Sequence, residues 1–337
     1  MSAKNSNSNS AKNSTNDTTS MISEASTLNN RKSPRITTPI DYKALHECAI
    51  PRNTDMIQKM EAESYLKDII VSIENGIGLT KSKMLHMLRS DNYFLPLFIQ
   101  NKEGLGMIVP DSTLSVQEIS DKIGPNNLVS VIDGESNEDA GQWSLQKWAK
   151  YYHSQDKKHI YNVISLEISR TDLGNSIKRP TIVEKSDLIT NCWPKRKQKV
   201  VYYHVLSGEK VFYLIPPTSK NLRAYEQWCS SEEQFLLVFN QFVNGQVGRV
   251  VLKSGNTLII PGGWIHAVST LKDTIVIGGN FLMLETMGIH INVYKMESRM
   301  NVSETYRLPY FLSICEWITL NIEKNLKSIK NSKKKRK

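Results

Sequence analysis

Apolar positions change period several times along this chain, and each change predicts an element. In "MIQKMEAESYLKDIIVSIENG", Met60, Tyr65, Ile69 and Ile73 recur at helical spacing and stop at Asn75-Gly76, which predicts a helix closed by a C-terminal glycine. A second helix is expected around "SKMLHMLRS". "DNYFLPLFIQNKEGLGMIVP" has short apolar runs broken by Lys102-Glu103-Gly104 and reads as a hairpin. A short helix follows at "SVQEISDKIG", a strand at "LVSVIDG", an amphipathic helix at "SLQKWAKYYHSQ" and a β-branched strand at "IYNVISLEIS".

From residue 200 the pattern is strand after strand: "VVYYHVL", "KVFYLIPP", "RVVLK", "NTLIIPGGW", "HAVST" and "TIVIGGNF", interrupted by the helix "SKNLRAYEQWCSS". Short strands at regular spacing with glycine-containing turns predict an antiparallel barrel or sandwich. Gly208 reads as a hairpin turn between the first two of these strands. After Leu282 the chain turns helical again, through "YKMESRM" and "LPYFLSICEWITLNIEK", a C-terminal helical cap. Residues 1–30 are mostly Ser, Asn and Thr with no aromatic residue, so disorder is expected to about residue 40.

Charge sharpens this division. The net charge is +10, yet residues 1–40 carry +3 and the stretch from Lys324 to Lys337 holds eight basic residues and no acid, leaving about −1 on the body between them. Basicity therefore belongs to the two ends, not to a nucleic-acid face on the fold. The closing "KKKRK" has the composition of a nuclear localisation signal or a phosphate-contacting tail, with a solvated lysine-rich end as the plain alternative. No apolar run reaches bilayer length, so no membrane partner is expected. Cys48, Cys192, Cys229 and Cys315 lie far apart with no CxxC pair, which argues against a zinc finger and a disulfide framework.

Two stretches hold candidate chemistry. In "IIPGGWIHAV" a Gly-Gly turn lets His266 begin a strand beside Trp264; a lone histidine on an apolar strand is ordinarily a satisfied core or surface residue. In "SGEKVFYLI", alternation puts Lys210 on the face of Phe212 and Leu214, where a buried ammonium wants an anion, unless it is an exposed edge lysine near the turn.

Taken together, "DNYFLPLFIQNKEGLGMIVP", "YYHSQDKKHIYNVISLEIS", "RPTIVEKSDLITNCWP", "VYYHVLSGEKVFYLIPPTSKNLRAYEQW" and "GNTLIIPGGWIHAVSTLKDTIVIGGNFL" resemble the JmjC-domain histone lysine demethylases, in order from about residue 90 to about 310. The branch most resembled is the fungal one acting on lysine-36 of histone H3. The resemblance implies a mainly β fold with helical flanks, a double-stranded β-helix of jelly-roll or cupin type. It also implies Fe(II) and 2-oxoglutarate as cofactors, with the histone H3 tail or nucleosome as partner. His266 sits at the family's distal iron ligand and Lys210 at the lysine that pairs with the far carboxylate of 2-oxoglutarate, while Tyr203 and Asn162 match positions lining the cosubstrate pocket. The implied organisation is a tail over 1–40, a mixed α/β part over 41–160, a JmjC domain over 161–298, a helical cap over 299–323 and a basic tail over 324–337. The implied location is the nucleus, with the basic tail contacting DNA phosphate or import receptors.

The same resemblance exposes a gap. In the family, the segment matching "NCWP" is followed by a long connection, a strand and a Thr-Asp-Phe-His-x-Asp motif before the equivalent of "VYYHVLSGEK". Here only Lys195, Arg196, Lys197, Gln198 and Lys199 separate Pro194 from Val200, and no His-x-Asp occurs among the seven histidines. The barrel is thus expected to be incomplete in the middle, near 195–199, and His266 to be the only remaining iron ligand. Asp172, Asp187, His204 and His290 are the nearest substitutes, and none has a partner at ligand spacing. Two histories fit: a transcript or gene model that skipped a segment, or a paralogue that lost catalysis.

Overall fold

The computed structural model describes residues 65–134, 139–163, 166–188, 202–231, 246–302, 307–308 and 310–334, with side chains to residue 324. The expected tail over 1–40, the short "KRKQK" connection and the last three residues lie outside this set.

A six-stranded sheet forms the centre, in the order β1 (Val71–Ile73), β2 (Leu97–Ile99), β8 (Thr257–Ile259), β6 (Tyr203–Ile215) and β7 (Gly248–Lys253), with β9 (Ile265–Gly278) on the other side of β6. All pairs are antiparallel except β1 with β2. The sheet curls into a half-barrel. A second sheet of three strands, β4 (Asp139–Ser144), β3 (Leu128–Asp133) and β5 (Tyr161–Val163), holds the preceding part of the chain.

β6 organises everything around it. Its run Val211-Phe212-Tyr213-Leu214-Ile215 is apolar without alternation because both of its faces are covered. Phe212 and Leu214 pack inward with Val250, Leu252, Leu258 and Trp264. Val211, Tyr213 and Ile215 pack outward against Tyr225 and Trp228 of a helix over Ser219–Cys229. Burial of each such side chain contributes about 1.5–3 kcal/mol.

Several helices start where the sequence supplies a cap. α1 (Lys81–Leu88) is capped by Thr80. α2 (Val116–Ile123) has a full capping box between Ser115 and Glu118. α3 (Leu145–Tyr152) is capped by Ser144. Two shorter helices, α4 (Asp172–Asn175) and α5 (Thr181–Ser186), precede α6 (Ser219–Cys229). The C-terminal part is α7 (Met287–Arg299), tied to α6 by a two-pronged Arg299–Glu226 ion pair at 2.7 Å, and α8 (Phe311–Lys334). Among the described residues no helix is long and apolar enough to cross a membrane.

Three local expectations need correction. The helix expected up to Asn75-Gly76 gives way within its described part to strand β1, because Val71, Ser72 and Ile73 find ladder partners in Leu97, Phe98 and Ile99. Tertiary pairing overrides helical spacing there. The hairpin expected over 91–110 is also absent: Leu97–Ile99 pairs with β1 and β8, while Ile108 makes only an isolated bridge to Lys178. Gly208 is not a hairpin turn. β6 runs straight through it, with Gly208 at φ +90° in a bulged stretch of the β6–β9 ladder, and β9 likewise joins what reads in sequence as two strands.

Candidate functional site

The β6–β9 ladder fixes which side chains share a face. Leu214 opposes His266, Phe212 opposes Val268 and Lys210 opposes Thr270, so these six lie on the same side of the sheet. Tyr203 joins them, its ring 5.3 Å from that of Phe212, and the His266 ring stacks near Phe212 at 6.4 Å.

His266 is oriented for coordination. Its Nδ1 lies 3.2 Å from the Trp264 carbonyl, which can only accept, so Nδ1 carries the proton and Nε2 keeps a free lone pair. Desolvation holds its pKa below the ordinary imidazole value, against a smaller opposing effect of the Trp264 hydrogen bond. The ring still opens to solvent, so this desolvation is partial. Trp264 is itself fixed, its indole N–H donating to the Phe94 carbonyl at 2.7 Å.

Lys210 is half-buried, and its ammonium donates to Thr270 Oγ1 at 3.0 Å. Among the described residues no carboxylate lies within 4 Å of it. Desolvation lowers its pKa, the expected result for a cation without a counter-charge. Four residue steps of β9, about 13 Å of strand, separate the pair partner of Lys210 from His266, with Phe212 and Val268 between. Tyr203 stands beside Phe212 with its phenol pKa raised by burial.

Asn162 is placed differently. It lies exposed on β5 in the three-stranded sheet, opposite Ile132, and makes none of the contacts that join Tyr203, Lys210 and His266. Thr270, which sequence reasoning missed, is brought in by the structure. The available signal was its position four residues after His266, on the same face of an alternating strand.

The substitute donors offered by the sequence are engaged elsewhere among the described residues. His204 is buried and engaged with Thr257 Oγ1 at 2.9 Å, its pKa pulled down to about 4 by desolvation. Asp187 is fully buried and paired with Arg179 at 3.1 Å. His290 sits on α7 against Gly262, with its pKa also lowered to about 4 by desolvation. Asp172 opens α4. Among the described residues no group of three or more His, Cys, Asp or Glu could hold a metal ion. Free Cys229 and Cys315 are half-buried in helices α6 and α8. A facial triad needs three convergent donors, so this arrangement does not fit iron, whereas the Lys210 end fits an anionic carboxylate.

Comparison with known proteins agrees with the motifs. The chain is 32% identical over 305 aligned positions to lysine-specific demethylase 7A of Danio rerio, covering 82% of this chain and 34% of that protein. It is 31% identical over 308 positions to lysine-specific demethylase 2A of Xenopus tropicalis, covering 79% and 26%. It is 38% identical over 251 positions to JmjC domain-containing histone demethylation protein 1 of Aspergillus fumigatus, covering 65% and 17%. The chain is a homologue of the JmjC histone lysine demethylases. That family depends on 2-oxoglutarate and iron. No family model matches the chain.

The chain spans between 17% and 34% of the length of these three relatives. The alignments also measure an internal difference. For the Danio JmjC protein, 82% of 337 residues is about 276, against 305 aligned positions, so about 29 positions have no residue in this chain. The same comparison leaves about 42 for the Xenopus protein and about 32 for the Aspergillus one.

Proposed function

We propose that this chain is the JmjC part of a nuclear histone lysine demethylase, built as a double-stranded β-helix for iron- and 2-oxoglutarate-dependent demethylation of methylated lysine-36 of histone H3. The polypeptide as it stands does not complete the iron site. It binds the cosubstrate carboxylate through Lys210 without turning over. The single observation that carries this reading is Lys210, without a carboxylate partner among the described residues, on the same face as His266, whose Nδ1 carries the proton. Tyr203 supports the cosubstrate, and Asn162 is assigned to the same pocket by resemblance alone. The JmjC domain covers 161–298, followed by the helical cap over 299–323. The histone H3 tail is the substrate class, and the basic tail over 324–337 contacts DNA phosphate or an import receptor.

That no group of three metal donors forms among the described residues favours a companion reading, a non-catalytic chromatin-binding protein. Sequencing the transcript across residues 190–205 separates the two, since His-x-Asp codons there would restore an enzyme. On the purified chain, 2-oxoglutarate is expected to raise Tm whether or not Mn(II) is added, and a lysine-36-methylated H3 peptide is expected to yield no formaldehyde. Formaldehyde release would overturn the claim of inactivity. No response to 2-oxoglutarate would overturn the role of Lys210.

A further inference from the structure

Lys210 stands where a neutral nitrogen suits the fold better than a charged one. Among the described residues its ammonium makes one hydrogen bond, to Thr270 Oγ1 at 3.0 Å, and has no carboxylate within 4 Å. The carboxylates of the adjoining ladder positions are already engaged, Glu209 with Lys272 at 3.4 Å and Asp273 with Lys157. Phe212 and Val268, the next pair on the same face, present only carbon. Desolvating a cation without a counter-charge costs stability, and it lowers the pKa of the amine. A lysine held in this way keeps more free amine at neutral pH and is an activated nucleophile.

The amine is also within reach of solvent. Residues 266–268 and 270–273 of β9 are exposed, so the hydroxyl that holds Nζ lies on the open side of the ladder. Acylation there removes the charge and keeps the contact, because the product amide retains one N–H to donate to Thr270 Oγ1. A short acyl chain adds carbon beside Phe212 and Val268. At Lys81 the same reaction would break an ion pair with Glu285 at 3.0 Å. At Lys210 it breaks none printed by the structure's described residues and relieves a buried charge.

We propose that Lys210 is an acylation site, and that its modification by a small acyl thioester closes the cosubstrate end of the ladder. The free amine attacks the thioester carbonyl carbon. A nitrogen–carbon bond forms, the carbon–sulfur bond breaks with its electron pair leaving on sulfur, and the thiolate takes up the proton that the nitrogen releases. This proposal rests on the Lys210 reading above and adds the regulation of that site.

Acetyl-coenzyme A and the full chain, at neutral pH, test it, with each lysine followed by mass spectrometry. Lys210 is expected to acetylate at least about threefold faster than Lys83, which is exposed on α1. A chain with Nε-acetyllysine installed at position 210 is expected to have a Tm at or above that of the parent and to lose its response to 2-oxoglutarate. Modification of Lys210 no faster than of Lys83 overturns the proposal. So does a lower Tm for the acetylated chain, and so does a 2-oxoglutarate response that survives acetylation. If Lys210 is the fast site while the parent shows no response to 2-oxoglutarate, the functional reading falls and the modification site stands. A parent that responds to 2-oxoglutarate while Lys210 reacts slowly does the reverse.

Discussion

Lys210 and Thr270 are direct register partners in the β6–β9 ladder, and the ammonium of one is hydrogen-bonded to the hydroxyl of the other at 3.0 Å. The hydroxyl is the ammonium's hydrogen-bond partner on a face shared with Phe212, Val268, Leu214 and His266, so it aims the charge without neutralising it.

Removing the charge and removing its guide should therefore differ. Lys210→Ala is expected to abolish 2-oxoglutarate-dependent thermal stabilisation with the fold intact. Thr270→Val should weaken it by roughly five- to tenfold, the size of one neutral hydrogen bond, and Thr270→Ser should restore it. Titration of 2-oxoglutarate followed by Tm reads all three.

Gly208 tests the bulge. At φ +90°, with its Cα against the backbone of Asp273 and Thr274, it has no room for a methyl group. Gly208→Ala should cost on the order of 1–3 kcal/mol and lower Tm by several degrees in a thermal scan.

His204 makes stability depend on pH. Its folded pKa of about 4 lies below the unfolded value of 6.5, so between these values the unfolded chain binds the extra proton. The contribution is fully present above pH 6.5 and is lost as pH falls towards 4, amounting to roughly 3 kcal/mol over the window. Urea unfolding at pH 7.5 and pH 4.5 should show the loss, and His204→Gln should flatten part of the slope.

Asp187→Asn breaks a pair whose acid is fully buried and removes that carboxylate from the Arg179 guanidinium. A loss of about 3–5 kcal/mol is expected in denaturant unfolding. Metal titration of the variant should match the parent, because Asp187 is engaged in structure and not available as a ligand.

Much of this molecule was legible in the chain. Ser115 with Glu118, Ser144, and the run ending at Cys229 marked helices because capping and amphipathicity are local properties. The shared face of Lys210 and Phe212 followed from alternation alone. Val71–Ile73 was illegible, since its strand state comes from partners at Leu97–Ile99 that no window around it contains. Gly208 misled for a related reason: a glycine with positive φ serves a turn or a bulge equally well, and only the continuous pairing of β6 with β9 decides. Thr270 stayed hidden because its role depends on a lysine sixty positions earlier in the chain.

The anchoring of Leu188 at Leu282 and of Tyr202 at Gly279 bears on how this protein tolerates change in its history. Closing a loop whose feet are already set side by side grows dearer only with the logarithm of its length. Going from the present thirteen residues to roughly forty-five adds on the order of 1 kcal/mol. A connection at this spot can therefore lengthen or shorten while the rest of the architecture keeps its shape.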